Sequence, residues 1–486
     1  MSINHGIRVS ETATGVVAPI VGSAGLQVVF GTAPINLAKD PYSVTNTIVT
    51  AYSFSEAAQK LGYSDNFEKF TLCQSMDYTF RVKNVAPIIF INVLDPAKHK
   101  KSNADKTYNL ANGSVTLDEE GILLDTLVVK DYTSTTTYAV NEDYVATFNN
   151  DGLVVISVVD GGAMSEQAKI SVTSDAIDPT AVTKEDIIGG VDVSTQKETG
   201  FELIRKVYPK TSLTPGLISA PGWSHDATVA AVMQAKCENI NSLFSCQCLI
   251  DIDTTEANTY DTVKEQKEAQ GVSSKHAIAC WPLVKIGDKK YYYSAVLSAL
   301  TAYTDAANND VPYVSPSNQT TGVTSVVVAD GTEVDLDLEQ ANMVNSFGVC
   351  TLLNMNGWKS WGNYTAAYPS TTDVKDMFIC CRRMLSWWEN SFILTFWQKV
   401  DNPTNYRLIK SICDTENIRA NSYKAQNMIA GLSISFNEND NPATEILNGH
   451  IKFKTYYAFF TPAQDIENDF EFDPTILTNA LFGGES

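Results

Sequence analysis

The stretch LQVVFGT at residues 26–32 predicts the first strand of an α/β fold. Its apolar run ends at Gly31, which is the pattern of a short strand buried on both faces. Residues 46–51 predict a second strand, and Ser53 with Glu56 forms a capping box for a helix that ends at Gly62. The run PIIFINVL at residues 87–94 predicts a further buried strand. This alternation of strands and helices indicates an α/β core.

The composition changes between residues 99 and 186, where short β runs are separated by turn signals. The clearest strands are predicted at residues 126–130, 144–148 and 153–159, with a hairpin turn at NNDG, residues 149–152. Helix and strand patterns of the α/β kind then resume. This order predicts a small β-sandwich inserted into a discontinuous α/β domain.

The last part of the sequence is predicted to form a separate α+β domain. Thr372 and Asp373 cap its longest helix, whose apolar side chains recur at helical spacing as far as Phe392. Two further helices are predicted at about residues 404–413 and 416–430, followed by a strand at 431–437 and another at 450–460.

These patterns predict a multidomain α/β (α+β) protein. It has a mixed-sheet α/β core, an inserted small β-sandwich domain, and an α+β C-terminal domain with extended terminal arms. The predicted boundaries are 1–25 for an N-terminal arm, 26–98 and 187–334 for the α/β domain, 99–186 for the insertion, 335–464 for the C-terminal domain and 465–486 for a C-terminal arm.

Length and charge exclude some classes of protein. A chain of 486 residues is too long for a single core. Its 35 Lys and Arg against 56 Asp and Glu give a net charge of −21, which argues against nucleic acid as a partner. The nine cysteines show no disulfide or zinc spacing, so we expect buried, reduced thiols. No signal peptide or membrane-spanning run is visible, so we expect synthesis in the cytoplasm and no membrane insertion.

The sequence offers few residues for catalysis and no cofactor motif. It lacks a GxxxxGK[ST] phosphate loop, a GxGxxG turn, a GxSxG elbow and an HExxH pair, and its five histidines are dispersed. The best candidates are Asp251 and Asp253 at the end of a predicted strand, where paired carboxylates could hold Mg²⁺. A metal-dependent α/β enzyme using these two residues is therefore an alternative. The other interpretation is an ordinary acidic loop.

Two groups on the long helix allow more than one interpretation. The aromatic residues around Trp387 and Trp388 could stack on a sugar, although their helical spacing favours core packing. Arg382 and Arg383 could bind a phosphate, or form salt bridges within the protein or with a neighbouring subunit.

The end of the chain contains a strand-like stretch without an obvious partner. Residues 450–460 alternate like a strand, Pro462 interrupts the pattern, and residues 466–472 alternate again. An isolated strand has unpaired main-chain groups and needs the edge of another sheet. We expect the first strand to belong to the C-terminal sheet of its own chain and the second to pair outside its own chain.

The order of several motifs resembles that of the phage tail sheath family. The likeness spans nearly the whole chain, with Tyr364 where the motif leads us to expect Arg. The segments that carry it are VVFGTAP (28–34), DP (178–179) leading to DIIGG (186–190), SAPGWS (219–224), VSPSN (314–318), WGNYT (361–365) and DMFICCRR (376–383).

The resemblance implies a structural subunit, with no enzymatic activity and no cofactor. Sheath subunits stack as hexameric rings around an inner tube, which the C-terminal domain faces, and the sleeve contracts to drive the tube through a target envelope. The implied partners are further copies of the chain, the tail tube protein, and baseplate and tail terminator proteins. The subunit would assemble in the cytoplasm of a bacterial host and leave by lysis, in a virion tail or a bacteriocin particle.

The resemblance also implies residues that join subunits. Terminal arms of sheath subunits add strands to the sheets of neighbours. The candidate arm residues here are Gly6, Ile7, Arg8, Val9 and Ser10 at one end, and Ile466, Phe470 and Phe472 at the other.

Positive charge gathers in the C-terminal helices of this acidic chain. Such a patch could meet an acidic tube surface, or could be a set of ordinary solvated helix faces. The candidate residues are Lys399, Arg407, Lys410, Arg419 and Lys424.

A third class of function remains open, an adhesin or cell-wall binding module that uses residues 99–186.

Overall fold

The computed structural model describes residues 23–133 and 135–482 of the chain. The first predicted strand is β1, and all five of its residues are buried. The hydroxyl oxygen of Ser53 accepts the Glu56 amide at 3.2 Å and the Glu56 carboxylate accepts the Tyr52 amide at 2.8 Å, which caps α1. Gly62 ends that helix with a φ of 76°. The elements of this part are β1 (Gln27–Gly31), β2 (Val49–Ala51), α1 (Phe54–Leu61), α2 (Leu72–Met76), which continues as a π-helix to Val82, and β3 (Ile88–Asn92).

The next part consists of two three-stranded antiparallel sheets. Their strands are β4 (Lys100–Asn109), β5 (Ser114–Thr116), β6 (Val128–Asp131), β7 (Tyr144–Phe148), β8 (Val154–Val158) and β9 (Lys169–Ile177). The strand orders are β4-β9-β6 and β5-β8-β7. A separate hydrophobic cluster that includes Val129, Ile156 and Ile170 is buried here. The patterns missed β4 because this polar strand is largely exposed.

The chain then returns to the sheet of β1. The elements are α3 (Lys184–Ile188), β10 (Gly190–Val191), β11 (Glu198–Thr199), α4 (Val207–Thr211), β12 (Leu217–Ser219), α5 (Ala227–Glu238), β13 (Gln247–Asp251), α6 (Val263–Ala269), β14 (Ala277–Cys280), β15 (Leu283–Ile286), β16 (Lys289–Tyr291), α7 (Tyr293–Ala307), β17 (Ser325–Val327), α8 (Leu338–Ser346), β18 (Val349–Asn354) and β19 (Trp358–Trp361). The central sheet has the order β19-β18-β14-β13-β12-β1-β3-β2, and only its two outermost strands are antiparallel to their neighbours.

The predicted boundary between residues 334 and 335 is wrong. Strand β18 pairs parallel to β14, with Ala279 opposite Val349 and Cys280 opposite Cys350. The first five residues of β18 are buried, so this apolar strand completes the central sheet instead of starting another domain. The α/β sheet therefore extends to Trp361.

The last part packs helices against a two-stranded sheet. Its elements are α9 (Val374–Met377), α10 (Ile379–Phe396), α11 (Tyr406–Ala425), β20 (Gly431–Ser435), α12 (Ala443–Leu447), β21 (Lys454–Ala458) and α13 (Pro474–Phe482). The predicted long helix is interrupted at Phe378, whose backbone is extended. The two helices predicted at residues 404–413 and 416–430 are wrong, because they form the single helix α11. Its polar residues Thr415 and Glu416 are buried among partners instead of ending the helix.

The burial of the cysteines and the character of the helices can be compared with what the sequence predicts. Eight of the nine cysteines are buried, as expected, and Cys413 is half-buried; none is in a disulfide in the described structure. Among the helices that the structure describes, none has the length and apolar character needed to cross a membrane.

Candidate assembly surface

The residues after β21 expose a series of large apolar side chains. We call residues 461–482 the C-terminal segment; none of its residues lies in a strand, and α13 is its only helix. Ile466, Phe470 and Phe472 are 84%, 87% and 78% exposed. Side chains of this size are normally buried. The segment therefore has the composition of a surface that another molecule covers.

The C-terminal segment has two chemically different faces if it is extended. Ile466, Phe470 and Phe472 fall at even positions, while Glu467, Asp469, Glu471 and Asp473 fall at odd positions. Alternate residues of a strand point to opposite faces. Residues 466–473 would then present one mainly apolar face and one acidic face. Their pairing as a strand stays a prediction, and the candidate arm at residues 6–10 lies outside the described residues.

The sheet of β20 and β21 has one open edge. The two strands pair antiparallel, and Ile434 lies opposite Thr455. On the outer side of β20, the Asn417 side chain of α11 donates to the Ile434 carbonyl at 3.2 Å and accepts its amide at 3.0 Å. Since Ile434 directs its main-chain groups away from β21, Thr455 directs its own groups away from β20. The edge of β20 is thus closed at Ile434 by a side chain, whereas no described strand lies beside β21.

A cleft of about 1080 Å³ lies below this sheet, between β21 and α10. The inner face of the sheet lines it with Leu432, Ile434, Thr455 and Tyr457, which alternate with outward-facing residues such as Lys454. Further lining side chains are Phe244, Leu385, Phe392 and Ile393. The open edge and the apolar cleft therefore lie side by side.

The C-terminal segment is tied to its own chain where it leaves the sheet. The Tyr364 hydroxyl donates to the Gln464 side-chain oxygen at 2.7 Å. The Tyr364 ring stacks on Tyr368 with centroids 4.0 Å apart, and on Phe378 at 5.5 Å. The residue that departs from the expected motif thus holds the beginning of the C-terminal segment.

Three of the five predicted basic residues lie together. Lys399, Arg407 and Lys410 line a hollow of about 750 Å³ at the start of α11. Lys424 is exposed in the last turn of the same helix. Their contact with a tube stays a prediction.

The prediction that the fifth basic residue, Arg419, lies on the surface is wrong. Only 4% of it is exposed, and its guanidinium donates to Glu416 at 3.4 Å and lies 4.0 Å from the centre of the Trp388 ring. Burial raises the pKa of the Glu416 carboxyl above its usual value. The spacing of one helical turn between Glu416 and Arg419 was the only signal of this pair in the sequence.

The arginine pair and the tryptophan pair are internal. Arg382 forms ion pairs with Asp376 at 3.3 Å and Glu389 at 3.1 Å. Arg383 pairs with the buried Asp305. Trp387 and Trp388 are 3% and 5% exposed, which confirms core packing. Of the alternatives left open for the two arginines, the structure shows salt bridges within the protein.

Asp251 and Asp253 do not form a shared site. Asp251 is buried; its carboxylate accepts the Ser294 amide at 2.9 Å, the Ser294 hydroxyl at 2.5 Å and the Ser224 hydroxyl at 3.0 Å. Burial raises its pKa to about 6. Asp253 instead accepts the Thr255 amide at 2.9 Å in its own turn. Across residues 23–133 and 135–482, no group of three or more His, Cys, Asp or Glu is placed to hold a metal ion. The geometry contradicts the proposed Mg²⁺ site, because the carboxylate of Asp251 joins the turn before α5 and the first turn of α7 to the sheet.

Comparison with known proteins identifies one relative that aligns with nearly the whole chain and others that align with about two thirds of it. No family model matches it. The tail sheath protein of Burkholderia phage BcepMu is 27% identical over 497 residues, covering 99% of this chain and 98% of the relative. The tail sheath protein of Escherichia phage P2 is 24% identical over 323 residues, covering 65% of this chain and 74% of the relative.

Two solved structures share the fold. A chain in the baseplate of the anti-feeding prophage has a TM-score of 0.57 at 13% identity, covering 97% of this chain and 100% of that chain. A chain of the contracted sheath complex of the extracellular contractile injection system PVC has a TM-score of 0.57 at 12% identity, covering 98% and 100%. Both alignments include the insertion and the C-terminal region.

Proposed function

Since the chain belongs to the phage tail sheath family, whose members are structural proteins of contractile tails, we propose that its copies polymerise as stacked hexameric rings around an inner tube. Contraction of this sleeve drives the tube through the envelope of a target cell. The role is mechanical and involves no catalysis. The relatives in sheath and baseplate assemblies support self-association and contact with a baseplate. The tail tube and a tail terminator are the remaining partners, and assembly takes place in the host cytoplasm before lysis.

The C-terminal segment carries the proposal that subunits are linked by exchanged strands. Residues 466–472 of one copy add to the open edge of β21 in a neighbour. Their apolar face, with Phe470 and Phe472, then covers the cleft between β21 and α10. Their acidic face points outward, on the same side of the sheet as Lys454. Both the unpaired edge and the exposed aromatic side chains are satisfied by this one arrangement.

The energies agree with a link that is weak singly and strong in a ring. Each main-chain hydrogen bond contributes about 0.5–1.5 kcal/mol net. Burial of each large apolar side chain adds about 1.5–3 kcal/mol before the cost of ordering the segment. One exchanged strand therefore holds modestly, and a closed ring repeats the contact at every interface. The predicted N-terminal strand at residues 6–10 would act in the same way.

Imaging of the purified subunit tests this proposal. We expect tubes or stacked rings by negative-stain microscopy. Deletion of residues 1–12, or of residues 466–486, should leave a folded subunit that no longer polymerises. If both truncated proteins built normal tubes, arm exchange would be wrong.

A pair of substitutions distinguishes strand exchange from non-specific association of exposed apolar side chains. Phe470→Asp with Phe472→Asp should abolish polymerisation, because it places charge in the apolar cleft. Leu447→Asp is the matched control, since Leu447 is 85% exposed and lies outside the C-terminal segment. Equal loss of assembly in both proteins would count against strand exchange.

The basic hollow of α11 is the proposed contact with an acidic tube. The half-buried Lys399 and the exposed Arg407, Lys410 and Lys424 carry this proposal without Arg419. Such a contact is salt-dependent, so it can release during contraction. Lys410→Glu with Lys424→Glu should prevent assembly on tail tubes while leaving tube-free polymerisation intact. Unchanged tube-bound assembly would contradict the contact.

A further inference from the structure

The guanidinium of Arg383 joins three distant parts of the chain. One nitrogen, Nη1, donates to Asp305 Oδ1 at 3.0 Å, and Nη2 donates to the other oxygen of the same carboxylate. The Nη2 group also donates to the Ala24 carbonyl at 3.0 Å. Arg383 lies on α10 and Asp305 lies in the last turn of α7. Both side chains are at least 95% buried, so this is a dry, bidentate contact.

The residue after Ala24 is held from the opposite side. The Asp310 carboxylate accepts the amide of Gly25. A Cβ atom at Gly25 would lie 3.2 Å from the Ala302 Cα and 3.3 Å from an Asp305 oxygen. The Ala24 side chain belongs to the same apolar cluster as Trp387. The backbone at residues 24 and 25 is therefore enclosed between α7 and α10, with hydrogen bonds to both its carbonyl and its amide.

This contact lies between the N-terminal residues and the central sheet. Residues 1–22 precede it, and β1 begins at Gln27, two residues after Gly25. Without the contact, a pull on the N-terminal residues would act directly on β1. With it, the pull is transferred to two helices, of which α7 is 15 residues long and α10 is 18.

We propose that Arg383, with Asp305 and Asp310, anchors the N-terminal arm at Ala24 and Gly25. The anchor fixes Ala24 and Gly25 against the subunit, so that a load on the preceding arm is transmitted to α7 and α10. The inference rests on the proposed function, in which that arm links neighbouring subunits. Arg383 is a positioning residue here and does not itself contact the neighbour.

The chain provides a matched control for a merely stabilising salt bridge. Arg419 and Glu416 form a second buried pair in the same region, and their side chains are 2% and 1% exposed. The hydrogen bond of Arg419 goes to Glu416 on its own helix. Arg383→Lys and Arg419→Lys both replace a planar fork by a single ammonium group. Only the first changes the contact with Ala24.

Hydrogen exchange measured by mass spectrometry on the full-length subunit tests the anchor. In Arg383→Lys, the amides of residues 23–26 should exchange about tenfold faster, because local stability falls by about one hydrogen bond. Exchange in β13 should stay unchanged, and Arg419→Lys should leave residues 23–26 as in the natural protein. Unchanged exchange at residues 23–26 in Arg383→Lys overturns the anchor. If that protein does not fold, Asp310→Ala serves instead, since it removes the acceptor of the Gly25 amide and keeps the pair of Arg383 with Asp305.

The same proteins are then compared for assembly. Arg383→Lys should need several-fold more protein to form tubes, whereas Arg419→Lys should not. Deletion of residues 1–12 is assayed in parallel. If that truncated protein formed normal tubes, the function proposed for the arm would be wrong. The hydrogen-exchange rates of residues 23–26 would still test the contact of Arg383 with Ala24. If the truncated protein forms no tubes, while Arg383→Lys forms them at the same protein concentration as the natural protein, the proposed transmission of load through Arg383 is overturned.

Discussion

Asp251 shows how a buried carboxyl can join a fold instead of serving a reaction. Its oxygens accept hydrogen bonds from Ser224, in the turn before α5, and from Ser294, in the first turn of α7. Burial raises its pKa to about 6 from the ordinary 3.8. The folded chain therefore retains a proton between pH 4 and 6 that the unfolded chain has released. The stability that this proton provides is present at low pH and is lost as the pH rises through 6.

Asp251→Asn should remove this pH dependence. We expect the free energy of unfolding of the natural protein, relative to Asp251→Asn, to fall by about 2 kcal/mol from pH 4 to pH 7. Asp310, whose pKa is also raised to about 6, titrates in both proteins and cancels in the difference. Urea unfolding followed by tryptophan fluorescence at each pH measures it. Parallel profiles for the two proteins would contradict the prediction.

Arg419 shows that the number of basic residues in a segment does not tell which of them are exposed. Five basic residues in the C-terminal helical region suggested one surface, but the sequence does not state which side of α11 faces the core. Arg419→Met should lower the free energy of unfolding by about 3–5 kcal/mol, because Glu416 is left buried without its cation. Adding Glu416→Gln should recover part of the loss. A loss below about 1 kcal/mol in urea unfolding would mean that the pair contributes little.

At the scale of elements, burial on both faces decided which strands could be predicted. The runs that became β1, β3 and β13 are mainly apolar and are buried at every position, so their existence followed from the sequence. Strand β4 is polar and exposed, and therefore carried no signal. The place of strand β18 in the central sheet was missed by the predicted boundary between residues 334 and 335, because its pairing with β14 is non-local. The cleft under β21 likewise depends on elements far apart in the chain.

Asn417 gives a prediction for one element, the edge of β20. Its amide replaces a neighbouring strand by bonding both main-chain groups of Ile434. Asn417→Leu should lower the free energy of unfolding by about 1–3 kcal/mol, since it leaves these groups without partners. Asn421→Leu is the control, at an exposed position one turn further along α11. If the two substitutions had equal effects on urea unfolding, the role of Asn417 in stabilising the edge of β20 would be contradicted.

At the scale of the whole molecule, residues 99–178 form a unit whose two ends meet. The Asp178 amide donates to the His99 carbonyl at 2.8 Å, and Lys100 lies opposite Ile177 in the sheet. The unit has its own hydrophobic cluster. Its polar contacts with the core include Tyr42 with Asp125 and Lys69 with Glu120, both exposed. Its apolar contacts with the core include the buried side chain of Leu123.

This arrangement predicts that the insertion can be removed. Paired strands are roughly 5 Å apart, so a short Gly-Ser linker can replace residues 101–176. The remaining core should fold with a loss of about 2–5 kcal/mol, because Leu123 leaves the main cluster while the exposed ion pairs contribute little. Leu123→Ala in the full-length chain is the matched control and should show a similar loss in urea unfolding. The shortened protein should still form tubes, since the open edge of β21 and the C-terminal segment are unchanged. A folded core that forms no tubes would assign the insertion a direct role in assembly.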